Sequence, residues 1–159
     1  MMNREILLIA EQLKDAYDGE PWFGRSINEI LNEIDNEIVF VKPEGQHSIV
    51  ELLWHMITWE EFTISRLRND ENKPVKYFED NDWRELDHSD KTLWQQGLQQ
   101  FSKLHNELLE VIRQQKDEIL SQRVSERKYD FRKLLNGIVQ HDIYHLGQIA
   151  YIKKMLQKE

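Results

Sequence analysis

Apolar residues recur at helical spacing along most of this 159-residue chain. Residues 4–17 place Ile6, Leu7, Ile9, Ala10, Leu13 and Tyr17 three and four apart, the pattern of a helix with one apolar face. Asp18-Gly19-Glu20-Pro21-Trp22-Phe23-Gly24 breaks that helix. Ser26-Ile27-Asn28-Glu29 reads as a capping box and predicts a short helix to about Ile34. Lys42-Pro43-Glu44-Gly45 is a turn. A second capping box, Ser48-Ile49-Val50-Glu51, then opens a helix through about Leu67. Asn69 to Asp87 is polar, holds Pro74, Tyr77, Phe78 and Trp83, and predicts an irregular crossover covering one end of the molecule. Ser89 or Asp90 caps a long helix to about Leu120, and Asp130 caps a last one through about Leu156. Strand-like alternation never lasts. The pattern predicts an all-α fold, a four-helix bundle with one short extra helix, in a single domain over residues 1–159.

Three polar residues interrupt the apolar faces. On the last helix Phe131, Leu134, Ile138, Ile149, Ile152 and Leu156 form one stripe, and His141 and His145 sit in it, about 40° apart at 100° per residue. They stand where the pattern asks for leucine or isoleucine. A buried imidazole without partners loses the hydration of two ring nitrogens, which is costly. Two imidazoles four apart on one helix reach a single ion, as in the H-E-x-x-H metalloprotease helix. His55 lies on the helix of the second capping box, whose stripe is Ile49, Leu52, Leu53, Met56, Ile64 and Leu67. It falls about 120° from the centre of that stripe, so periodicity permits it as a third ligand without demanding it. His47, His88 and His105 are weaker candidates: His47 precedes a cap, His88 lies at a loop–helix junction, and His105 sits beside Asn106 and Glu107.

Composition narrows the chemistry. There is no cysteine, which excludes disulfides, thiolate metal sites and a Cys nucleophile. The formal net charge of −8 opposes binding to phosphate backbones and anionic lipid, so no nucleic-acid partner is expected. No window approaches 18 consecutive apolar residues, and Met1 to Glu5 opens no long apolar stretch. A cytoplasmic protein without a membrane span is the expectation. No Gly-rich phosphate loop or G-x-S-x-G elbow occurs.

Three segments resemble the DinB-like superfamily: Trp22-Phe23-Gly24-Arg25-Ser26; Gly45-Gln46-His47-Ser48-Ile49-Val50-Glu51-Leu52-Leu53-Trp54-His55; and Gly137 through Ile149, ending H-x-x-Y-H-x-G-Q-I. The resemblance runs in matching order along nearly the whole chain, and residues 70–130 carry little that is diagnostic beyond Trp83 and Trp94. It implies a DinB/YfiT-like four-helix bundle of down-up-up-down topology, commonly a homodimer. It also implies one divalent metal ion, zinc or nickel, held by His55, His141 and His145. Similar proteins include thiol S-transferases using bacillithiol or mycothiol and metal-dependent hydrolases; the implied partner is a small-molecule substrate, with a low-molecular-weight thiol as one form of it.

Three imidazoles are neutral, so such an ion keeps its +2 charge and an open position for water or a thiol, which it acidifies. The alternative is a non-enzymatic metal-binding or stress-related interaction protein in which the ion braces the bundle. Glu51, Glu60, Asp142 and Gln148 are candidate partners for the outer ring nitrogens. Trp22, Trp54, Trp59 and Tyr144 are candidates for lining a cleft, against the simpler reading of core packing.

Overall fold

The computed structural model describes residues 3–157. Six helices form: α1 (Arg4–Asp18), α2 (Ile27–Asn32), α3 (Ile49–Leu67), α4 (Val75–Asp80), α5 (Leu93–Arg113) and α6 (Phe131–Leu156), with a 3-10 turn at Asp117–Ser121. No strand forms among the described residues, and the all-α expectation holds.

The four long helices make a ring in which α1 and α3 each pack between α5 and α6. Their directions follow from which ends meet. Trp54 on α3 donates to the Leu93 carbonyl at the start of α5, and Arg68 just after α3 pairs with Glu107 late in α5, so α3 and α5 run parallel. His55 early in α3 meets His145 late in α6, so those two are antiparallel. Glu5 opens α1 beside Arg132 at the start of α6, so these are parallel. The Asp117 carboxylate, after α5 has ended, accepts from the N–H groups of Arg4, Glu5 and Ile6 at the start of α1. The topology is therefore down-up-up-down.

Local chemistry explains most boundaries. Ser48 and Glu51 complete a reciprocal capping box on α3, and Asp130 accepts from the Lys133 N–H at 2.9 Å to start α6. The box predicted at Ser26 is only half formed. Ser26 Oγ accepts from the Glu29 N–H, while the Glu29 side chain pairs with Arg25.

Two expectations are corrected. The third long helix stops at Arg113 instead of Leu120. Asp117 leaves it to cap α1, which has no side-chain cap of its own, and Leu120 turns into the core within the 3-10 turn. The crossover after Asn69 is not wholly irregular, because Pro74 starts α4, which buries Phe78 completely. Arg66 of α3 holds this crossover in place. Its guanidinium donates to the Lys73 carbonyl at 3.0 Å and to Glu126 at 3.3 Å, over the rings of Phe62 and Phe78. Covered by the crossover as well as by α5 and α6, α3 is buried almost all round. No helix among the described residues is long and apolar enough to cross a membrane.

Candidate metal centre

α3 and α6 bring His55, His141 and His145 to one point, the group of side chains in the structure that could hold a metal ion. The Nε2 atoms of His141 and His145 each lie 3.0 Å from Nε2 of His55. His55 and His145 are buried and His141 is half-buried. His55, at the edge of its stripe, reaches the interior because α3 is covered on its outer side too.

The outer ring nitrogens decide what the inner ones carry. Nδ1 of His55 faces only oxygen acceptors, the Asp82 carboxylate at 2.8 Å and the Asp82 carbonyl at 3.1 Å. Nδ1 of His145 lies 2.6 Å from Gln148 Oε1. Each Nδ1 therefore carries the proton and donates it, which leaves both Nε2 atoms as bare lone pairs facing each other at 3.0 Å. Two acceptors at that distance repel unless a cation lies between them. Around a tetrahedral ion with metal–nitrogen bonds of about 2.0–2.1 Å, neighbouring nitrogens stand about 3.3 Å apart, so a few tenths of an ångström of relaxation would fit the group to zinc or a similar ion. Burial lowers the pKa of His55 and takes that of His145 down to about 4, so both rings are held neutral, the form that ligates.

Outside the triad, Asp82 also accepts from the Trp59 indole N–H at 2.7 Å, which fixes its carboxylate on His55. The Trp83 ring lies flat between two imidazoles, stacked on His55 at 3.9 Å and on His47 at 3.6 Å. His47 is thus beside the centre without pointing a nitrogen at it. The four candidate partners divide. Gln148 does orient His145. Asp142 stands 3.5 Å from His141 Nδ1, too far for a hydrogen bond, and that nitrogen has no partner. Glu60 does not reach the triad and lies against Asp142 instead. Glu51 is no partner of His55: its carboxylate is committed to the Ser48 cap and to Lys42 at 2.9 Å. Asp82 and Trp83, which complete the site, lie in the crossover, where no periodicity marks them and the family resemblance points to Trp83 alone.

A cleft of about 460 Å³ opens beside the triad, lined by His145, Gln148, Trp83, His47, Tyr144 and Leu52 among others. A second groove, of about 280 Å³, runs past His141 between Trp59, Phe62 and Tyr129. Tyr144 and Trp59 line clefts, against the simpler reading of core packing. Trp54 packs inward with its indole on Leu93, and Trp22 is fully exposed and lines neither.

His105 stacks on Tyr17 at 3.9 Å, remote from the triad, and burial takes its pKa down to about 4. His88 lies 4.0 Å from Glu51. Neither joins the three.

Comparison with curated proteins gives no match. The family model described as DinB superfamily matches residues 22–149, a span that holds all three histidines together with Asp82, Trp83 and Gln148, and the chain belongs to that superfamily.

Proposed function

We propose that this protein is a metal-dependent enzyme in which His55, His141 and His145 ligate one divalent ion, zinc or nickel, and that it acts as a thiol S-transferase or a hydrolase on a small-molecule substrate. The observation that carries this reading is the pair of lone pairs facing each other at 3.0 Å with both protons turned outward to Asp82 and Gln148. A cation between them makes that arrangement favourable. Three protein ligands leave room at the ion, which is the pattern of catalytic rather than closed structural sites. When bound, the ion supplies Lewis acidity that holds a thiol or water as its conjugate base.

The chain's own residues do the positioning. Asp82 and Gln148 fix the tautomers, Trp59 fixes Asp82, and Trp83 packs across one face of His55 and limits water there. The adjoining cleft favours the enzymatic reading over an ion that merely braces the bundle, since a bracing ion needs no access for small molecules. The test is a conjugation assay with bacillithiol, mycothiol or glutathione and a generic electrophile, beside an ester and amide hydrolysis panel, on chelated and metal-reloaded protein. Turnover that disappears on chelation and returns on reloading is the expected result. A panel with no metal-dependent turnover, together with a large loss of thermal stability on chelation, would leave the bracing ion as the answer.

A further inference from the structure

The cleft beside His145 has an unusual charge inventory for a protein in which 31% of residues are charged. Its lining is uncharged: the amides of Gln46 and Gln148, the imidazoles of His47 and His145, the rings of Trp83, Tyr144 and Tyr151 with their N–H and O–H groups, and the apolar Pro43, Leu52, Ile152 and Met155. No Lys, Arg, Asp or Glu side chain lines it among the described residues. Two cations on the flanking segments are committed elsewhere, Lys42 to Glu51 at 2.9 Å and Lys153 to Glu33 at 3.0 Å. Away from the His145 end, where an ion would sit, the lining offers a carboxylate or sulfonate no compensating charge for the water it gives up.

The apolar wall is aromatic and soft. Tyr144, Tyr151 and Met155 are large hydrophobic side chains left exposed on α6, 65%, 67% and 53% accessible, and all three face the same cleft. Aromatic edges and a thioether favour flat rings as partners. At about 460 Å³ the space falls within the roughly 300–1,000 Å³ of small-molecule sites.

We propose that the His145 cleft is the specificity pocket of the metal centre and takes an uncharged organic molecule bearing an aromatic ring, with its reacting end at His145. This rests on the metal-enzyme reading for what happens to the molecule, but the cleft's preference is a property of its own lining. It assigns the cleft to the electrophilic or acyl partner of the reaction.

The probes are N-phenyl-1-naphthylamine, which is neutral, and 1-anilinonaphthalene-8-sulfonate, which carries the same rings plus an anionic group. Both are titrated by fluorescence into chelated protein, so that no ion at His145 attracts the sulfonate, and the metal content of the untreated protein is measured alongside. The neutral probe is expected to bind saturably and about tenfold or more tighter than the sulfonate, the cost of an uncompensated charge. Met155→Lys places a cation at the rim, in the last turn of α6 where a positive charge suits the helix. It is expected to shrink that ratio by about tenfold through tighter sulfonate binding, with metal content unchanged. A sulfonate that binds wild type as tightly as the neutral probe, or a ratio untouched by Met155→Lys, overturns the assignment. Metal absent with the neutral preference intact defeats the metal reading and leaves the cleft assignment standing; metal present with no preference does the reverse.

Discussion

Helix α3 carries two buried polar clusters built on opposite chemistry. At His55 the protons point outward to defined acceptors and the lone pairs converge on a shared centre. Five residues on, Glu60 is completely buried against Asp142 of α6, and none of their four carboxyl oxygens has a hydrogen-bond partner of good geometry. His105 Nδ1 stands 3.7 Å from Glu60, beyond hydrogen-bond reach. Burial first, and the neighbouring Asp142 charge second, push the Glu60 pKa well up, and burial raises that of Asp142 as well, so the pair holds on to a proton. Both clusters face the same desolvation cost. The histidines meet it by offering lone pairs to a cation; the carboxyls meet it by keeping a proton. Burial of polar groups alone therefore does not mark a metal site, whereas oriented tautomers do.

The sharpest way to break the comparison is to remove a ligand. His141→Ala is expected to lose its bound metal altogether, read as metal per chain by plasma mass spectrometry on untagged protein; unchanged metal content would refute the ligand set. Replacing Asp82 by Ala should do less, lowering metal affinity by about 10–100-fold while the three ligands stay in place, as measured by competition with a chromogenic chelator. An affinity equal to wild type would mean that Asp82 does not orient His55.

The carboxyl cluster should respond to pH rather than to metal. Because Glu60 has a raised pKa when folded, its contribution favours folding below its ordinary value of 4.5 and is lost as pH rises toward the folded value. Glu60→Gln keeps the shape and a donor for Asp142 but removes that loss. The variant is expected to be more stable than wild type at pH 8, with the gap closing as pH falls toward 4.5, and to keep its metal. Thermal melts across that range check it. A variant less stable at pH 8 would show that Glu60 is ionised in the folded protein.

The two clusters were not equally legible. His141 and His145 stand out because two imidazoles occupy an apolar stripe one turn apart. Asp142 and Glu60 resemble any solvated acidic residues on a helix, and only the packing of α3 against α6 shows them to be buried. His55 lies between these cases: its spacing permitted an inward position, the family resemblance named it, and the covering of α3 on its outer side explains it. Asp82 had no local signal and Trp83 only that of the family resemblance, because a loop residue carries no periodicity to betray which side of the chain faces a site.

By itself the sequence determined the four long helices, the short α2, the caps at Ser48 and Asp130, and the two inward histidines of α6, because these depend on contacts within a few residues along the chain. Only the tertiary structure decided where α5 stops, since the Asp117 carboxylate that caps α1 comes from residues more than a hundred positions away. It also decided which groups orient the histidines and the uncharged character of the cleft at their side. Those features join side chains from α3, the crossover and α6, and no local rule of the chain specifies such a meeting.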